Sequence, residues 1–364
     1  MSFLENIFKH FPTPEFLSMS HVGVDISPTA IRFIGLKRTT HGLALAGFGE
    51  QLLLTVTKDF DNIHANADVV AALKKLQRTH KLSFVEVSIP EEKAYLFTTD
   101  VPVGDDASIR NNIEFHLEEN VPISLSDALF EYYIINKNEK TNMLHVAVSV
   151  LPVAVAEDYI ELFTSCGMTP VSFLIENQAL SKAIIKKGDP NSYLVVNLGF
   201  EKTVLSVVSD DAVQFTSTVH IGSEDFTQAI MKEFNVSEQE AEKIKFEKGF
   251  SRSKDNESLF LSLINTVSAL KDEINRIYVY WQAYQEKVKA QRTINSINHV
   301  ILAGKDSTLI GFRDYIAMSL KVDVELANVW LNVMSFDNEI PPIEYLESLN
   351  YGTAIGLALP KKLK

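Results

Sequence analysis

Apolar and polar positions fall into one pattern that occurs twice along the chain. From His21 to Leu36 an apolar strand ends in Asp25, a short Ser27-Pro28-Thr29 turn follows, and a second apolar strand begins at Ala30. From Tyr193 to Val208 the same order returns, with Asn197 where Asp25 stood, Gly199 where Ser27 stood and Leu205 where Phe33 stood. A third apolar stretch follows each hairpin, Leu43 to Leu54 and then Val213 to His220. One such hairpin alone is ordinary, with an Asp that caps its own turn. Two copies in one chain point to a duplicated domain. Facing halves would set two turns on either side of a cleft, a common place for ligands. The backbone N–H groups of such turns suit an anion. A carboxylate at the strand's end suits hydrated Mg²⁺, which keeps its waters and takes few protein oxygens.

Between the hairpins the periodicity changes. Asp68 followed by Val69, Val70, Leu73 and Leu76 predicts an amphipathic helix, and Val85–Ile89 a short strand closed by Pro90. From Glu91 to Met168 the order becomes strand (Tyr95–Thr98), helix (Asp106–Asn120), two strands (Phe130–Ile135 and Leu144–Val150) and helix (Ala154–Cys166, stopped by Gly167). That is compact enough for an inserted subdomain. Beyond the second hairpin, Ser237 with Glu240 forms a capping box. Leu259 to Val288 contains neither Gly nor Pro. Its Phe260, Leu263, Val267, Leu270, Ile274, Ile277, Trp281, Tyr284 and Val288 alternate steps of three and four. The stripe reads as a coiled-coil seam or as the buried face of a long helix, and bulky aromatics at seam positions favour the second. His299 to Gly304 is a buried strand, and Leu309, Phe312, Ile316 and Leu320 mark a further helix.

Composition narrows the function classes. A chain of 364 residues is long for one core. Lys and Arg total 34 against 47 acids, a formal charge of -13, which argues against a nucleic-acid groove. Cys166 is the single cysteine, so no internal disulfide forms. The longest nearly apolar run, Met143 to Ala156, is broken by His145 and Pro152 and is shorter than the roughly 20 residues of a membrane span. Phe3, Leu4, Ile7, Phe8 and Phe11 fall at helical spacing before Pro12, with only Lys9 and His10 as basic residues. That predicts a docking arm rather than a membrane-surface helix. No nucleophile elbow and no histidine or cysteine metal spacing is present. His116 is a lone histidine in an acidic helix, a pH sensor at most and more simply a surface residue.

In this order and spacing the stretches resemble the actin-like ATPase superfamily, and within it the PilM family of type IV pilus assembly, relatives of FtsA. Val22–Leu36 resembles the first phosphate motif, with Asp25 at the position linked to Mg²⁺ through water, Ser27 in the turn, and Arg32 where Lys is usual. Val195–Val208 resembles the second, with Asn197, Gly199 and Thr203 in place. Gly222-Ser223-Glu224-Asp225-Phe226-Thr227 resembles the trailing Gly-Gly-x-x-Phe-Thr, and Ala241-Glu242-Lys243-Ile244-Lys245 an element whose Glu and Lys reach adenosine. Leu302 to Leu309 resembles the adenosine loop, with Gly304 and Lys305. Glu118–Ile123, Tyr132-Tyr133, Gly167–Pro170, Glu176–Leu180, Glu273–Arg276 and Ala354–Leu359 resemble stretches of the pilus family itself.

The resemblance implies an α/β, actin-like (ribonuclease H-like) duplicated two-domain ATPase fold with an inserted small α+β subdomain. Its implied spans are an arm at 1–20, a first domain at 21–90 and 169–190, and the insertion at 91–168. A second domain follows at 191–225 and 296–345, with a helical subdomain at 226–295 and a C-terminal helix at 346–364 returning to the first domain. It also implies ATP and Mg as ligands and a cytoplasmic place at the inner face of the membrane. The implied partners are the N-terminal peptide of a PilN-like membrane protein, the motor ATPases and a second copy of the chain.

Departures qualify the chemistry. The second acid is Asn197, so a full carboxylate pair for Mg²⁺ and water is missing. The Gly-Gly pair has become Gly222-Ser223, and the adenosine loop carries Lys305 and Asp306. Gly304-Lys305 is not a Walker A loop, since His299 and Asp306 replace its required Gly and Ser or Thr. These changes predict nucleotide binding with weak or absent hydrolysis. Two alternatives stand beside it. A sugar-kinase-like phosphotransferase would need a base carboxylate, for which Glu91, Glu92 and Asp100 lie in the right region but read as surface charge. An FtsA-like division filament would bring a longer basic C-terminal helix than Pro360–Lys364 makes.

Overall fold

Each of the two hairpins opens a five-stranded sheet. The computed structural model of the protein describes residues 20–39, 42–288, 296–334, 336 and 340–360. Apart from Ser20, the arm expected over 1–20 lies outside these residues, as do the lysines after Pro360.

In the first half β1 (Val22–Ile26), β2 (Ala30–Thr39) and β3 (Gly42–Leu52) run antiparallel. Helix α1 (Ala67–His80) leads to β4 (Phe84–Ile89), parallel to β1. The helix expected from Asp68 starts one residue earlier, because the Asn66 side chain accepts the N–H groups of Asp68 and Val69. The chain then leaves to build a separate antiparallel sheet from β5 (Tyr95–Pro102), β6 (Ala128–Asn138) and β7 (Met143–Pro152), ordered β5-β7-β6. Helix α2 (Asp106–Asn120) covers it with Ile109, Ile113 and Leu117. Helix α3 (Val153–Ser165) follows, and its Tyr159, Leu162 and Phe163 pack with Val24, Leu73 and Val87 of the first sheet's core. Strand β8 (Thr169–Ile175) returns parallel to β4, giving the order β3-β2-β1-β4-β8. Helix α4 (Glu176–Ile184) closes the half.

The second half repeats this order. β9 (Ser192–Leu198), β10 (Thr203–Ser209) and β11 (Ala212–Val219) are antiparallel. Helices α5 (Ser223–Phe234), α6 (Glu238–Lys248) and α7 (Glu257–Val288) precede β12 (Ile297–Ala303), which is parallel to β9. Helix α8 (Phe312–Leu320) leads to β13 (Asp323–Leu326), and the order is β11-β10-β9-β12-β13. Leu309 lies before α8 instead of in it. Gly311, at φ 83°, breaks the chain there, and α8 starts one residue later.

The apolar stripe of α7 is consumed within its own half. Leu263, Val267, Leu270, Ile274, Ile277 and Trp281 are buried against β9, β12, α5 and α8. A coiled-coil seam along these residues is therefore excluded. A third cluster joins the halves. Helix α4 and helix α9 (Gly352–Ala358) pack Ala183, Ala354 and Ile355 between Ile34 of the first sheet and Val195 and Ile301 of the second. Two sheets of one topology, with α4 and α9 between them, leave a cleft above that seam.

Candidate functional site

The cleft is built from the turn ends of the two hairpins. In the first, Asp25 pairs with Arg32 across the ladder, and Ser27 closes the turn through its N–H and hydroxyl to the Ala30 carbonyl at 2.9 and 2.8 Å. Arg32 donates to the Ser27 hydroxyl at 3.3 Å and forms an ion pair with Glu50 at 2.6 Å. In the second, the Gly199 N–H donates to the Lys202 carbonyl at 3.0 Å. Behind that turn the N–H groups of Ser223 and Glu224 donate to the carbonyls of Gly199 and Phe200. Gly222 permits this approach, since a Cβ there would stand 2.2 Å from the Phe200 carbonyl oxygen. Thr203 is buried and donates to the Ile221 carbonyl at 2.7 Å.

Asp25, Ser27, Arg32, Asn197, Gly199, Gly304 and Lys305 all line this one cleft. Thr203 and Gly222 support its second turn from behind. Glu242 and Lys245 sit on α6 outside the lining and connect to it through Asp306. The Lys245 ammonium, 2% exposed, lies 2.6 Å from Asp306 and 2.7 Å from Glu242, and donates to the Thr227 hydroxyl at 3.0 Å. Lys305 forms an ion pair with Glu347 and stands over the Phe246 ring.

The floor of the cleft holds more acid than the sequence disclosed. Asp25 is buried and accepts the Ser88 hydroxyl at 2.6 Å. Burial pushes its carboxyl above the usual aspartate value, against the opposing pull of Ser88 and Arg32. Glu176, the first residue of α4, is pushed up to about 8 by burial and then by Asp25 and Glu91. Glu91 is pushed up to about 7 by its own burial and sits against the Asn177 N–H and Thr216. The reading of Glu91 as surface charge is thus corrected, because the second half covers it. Glu92 and Asp100 are more open and paired, with Lys202 and His145 respectively. His116 lies on the α2 surface, 3.7 Å from Glu119.

Asn197 gains a reason here. Its amide donates to Glu176 at 3.2 Å and to the Asn177 side-chain oxygen at 3.1 Å. An aspartate would add a fourth buried acid where a donor is needed. Asn177 in turn donates to the Ser206 hydroxyl, so the floor crosses between the halves. Lys202 faces Glu91 and Glu176 of this group, and it holds Glu92 at 2.6 Å. At the mouth, Lys58 of the first half reaches Glu201 at 3.1 Å and Glu224 at 3.7 Å of the second.

Sequence reasoning gave Glu176, Asn177, Ser88 and Lys202 no role in the site. Glu176 and Asn177 open one of the family-like stretches, and Ser88 and Lys202 had only their position at a strand end or turn as a signal. Among the described residues no cluster of three or more histidine, cysteine or acidic side chains has metal-binding geometry, and no helix is long and apolar enough to cross a membrane.

A family model described as type IV pilus assembly protein PilM matches residues 23–362. Among solved structures, the PilM-PilN type IV pilus biogenesis complex superposes with a TM-score of 0.70 at 18% identity, covering 93% of this chain and 98% of that one. MreB5 of Spiroplasma citri bound to ADP superposes with a TM-score of 0.50 at 13% identity, covering 88% and 94%. A search of curated protein sequences gives no match. The structural likenesses make the duplicated fold actin-like. With the family model matching over nearly its whole length, the chain belongs to the PilM family of type IV pilus assembly proteins.

Proposed function

We propose that this chain is a cytoplasmic scaffold of the inner-membrane complex of type IV pilus assembly, with ATP·Mg as a conformational ligand in the cleft. The carrying observation is the meeting of two like hairpin turns across one cleft, with Asp25 at its floor. A ligand touching both turns would bias how the halves close, a shift of population rather than a turnover device. The donor set fits the cation. Asp25 and Glu176 offer hard carboxylate oxygens, and a divalent ion between them would offset the burial and the repulsion that raise Glu176. Lys202 and Arg32 would meet phosphate oxygens on either side. Mg²⁺ would supply charge neutralisation for the phosphates.

Weak or absent hydrolysis follows from the same residues. Asn197, an amide, offers no basic oxygen for drawing a proton from water, and its hydrogen bond engages Glu176. Asp25→Ala is expected to weaken Mg·ATP binding about 30-fold or more, roughly 2 kcal/mol, with no loss of thermal stability, since the removed acid is buried at a cost. Calorimetry on the variant checks this, and unchanged affinity takes Asp25 out of the site.

The partner in this reading is the extended N-terminal peptide of a PilN-like membrane protein. One neighbour of this fold is a PilM-PilN complex. The edge strand β6 of the inserted sheet leaves an open edge with Leu129 and Tyr133 exposed, Tyr133 lying near Asp210 and Asp211 of the second half. An extended peptide can add to such an edge. Tyr133→Asp is expected to weaken binding of that peptide at least about tenfold, measured by fluorescence anisotropy. Equal binding by the variant moves the peptide elsewhere. Contacts with the motor ATPases and with a second copy complete the scaffold in this reading.

A further inference from the structure

The second hairpin turn is gripped from the first half by charges of both signs. Lys58 reaches Glu201 at 3.1 Å and Glu224 at 3.7 Å, and Glu92 holds the Lys202 ammonium at 2.6 Å. Glu201 and Lys202 line the cleft, whereas Glu92 comes to Lys202 from the 91–93 turn that follows β4. Its two neighbours fix that turn. Glu91 is buried and accepts the Asn177 N–H at 3.5 Å, while Lys93 pairs with Asp61 and lies 3.7 Å from Asp59. Glu92 is thus presented to Lys202 by a short turn anchored on both sides.

The Lys202 side chain is 18% exposed, and its charge also faces Glu91 and Glu176. Those two acids are held elsewhere, Glu91 by the Asn177 N–H and Glu176 by the Asn197 amide at 3.2 Å. Glu92 is the acid in contact with the ammonium, and at 41% exposed it is the one that water can take back. A phosphate brought to Lys202 meets the Glu92 carboxylate on the same ammonium, and like charges at contact distance repel. One of the two leaves. The turn itself stays in place, since Lys58 keeps its hold on Glu201 and Glu224. An ion pair this open favours its closed state by a factor of about five or less. A ligand with several charges therefore displaces Glu92, and its apparent affinity is lowered by the fraction of time that Lys202 is free.

We infer that Glu92 competes with the phosphates of the ligand for Lys202, and so sets the affinity of the cleft from outside its lining. The inference rests on the cleft being the triphosphate site proposed above. Because the competition is for phosphates, its size is the same for any ligand with the same phosphate chain.

The test is calorimetric titration of the full chain and of its Glu92→Gln variant with Mg·ATP and with Mg·tripolyphosphate. Glutamine keeps the length of the side chain and removes the charge. Both ligands are expected to bind the variant about three- to fivefold more tightly. In a Lys202→Met chain, read by displacement titration, Glu92→Gln is expected to change affinity by less than about twofold. A gain below about threefold in Glu92→Gln, or a loss, overturns the inference while the wild-type titration leaves the triphosphate site intact. A gain that survives in the Lys202→Met chain also overturns it, because Glu92 would then act on the ligand through its field alone. Absence of binding of either ligand to the wild type overturns the triphosphate site and the inference with it. The melting temperature of Glu92→Gln is expected within about 2 °C of the wild type, and a fall above about 5 °C would contradict a contact weak enough for a ligand to displace.

Discussion

Gly356→Ala is expected to destroy the stable fold, with a loss above about 4 kcal/mol. Helix α9 is buried along its whole length and runs between β1 and α4. A Cβ on Gly356 would stand 1.7 Å from the Ala179 carbonyl oxygen and 2.5 Å from its carbonyl carbon, both backbone atoms of α4. Retreat is closed on the other side, where a Cβ on Gly23 of β1 would already stand 2.1 Å from the Ala354 carbonyl oxygen. One methyl group must therefore part a helix from a sheet, and tightly packed interiors give way poorly. Because α9 belongs to the core that joins the halves, the cleft would be lost with it. Thermal unfolding and soluble yield read the effect. Gly47→Ala serves as the control, since its nearest neighbour is Phe33 at 4.0 Å, and it is expected to change stability by less than about 0.5 kcal/mol. A Gly356→Ala protein that melts with the wild type would contradict this packing.

Lys245→Met is expected to cost about 3 kcal/mol. The substitution keeps the length and apolar stem but removes the ammonium. Asp306, 21% exposed, then faces α6 without its partner, and the Thr227 hydroxyl loses a donor. Glu242 is 39% exposed and recovers water, so its share of the loss is small. Breaking a buried pair from one side leaves a charge without compensation, and this penalty exceeds the worth of the pair. Adding Asp306→Asn to Lys245→Met is expected to restore about half of the loss. Denaturant midpoints of the single and double variants measure both. A Lys245→Met protein of wild-type stability would show that the ammonium does not tie the 304–308 turn to α6.

The elements that the sequence disclosed are those whose cause is local. The two hairpins are apolar runs interrupted at their turns, and each strand appears where its run lies. The α7 stripe announced a buried face, and its bulky aromatics announced that the cover would be its own domain. Gly304 was placed in an adenosine loop by resemblance. Its φ of 83° and the Leu198 carbonyl oxygen 2.2 Å from a would-be Cβ show that the turn rests on the end of β9. Of the acids at the floor, Asp25 was legible from its hairpin, whereas the burial of Glu91 and Glu176 was not. Asp25, Glu91 and Glu176 come from separate strand ends, and whether an acid is buried depends on which segment of the other half covers it. The partner of Lys245 was hidden for the same reason, since Asp306 comes to α6 from the distant 304–308 turn.

The central claim, that the cleft holds ATP·Mg as a ligand rather than as fuel, is tested most directly on one sample. The full chain is titrated with Mg·ATP in a calorimeter, and released phosphate is then assayed in the cell contents. The account predicts saturable binding with a dissociation constant of about 1–100 μM and phosphate release slower than roughly 0.01 per second. Absence of binding heat would contradict the nucleotide-gated scaffold. Turnover of about 1 per second or faster would contradict the reading of Asn197 and Glu176 as a site without an effective base.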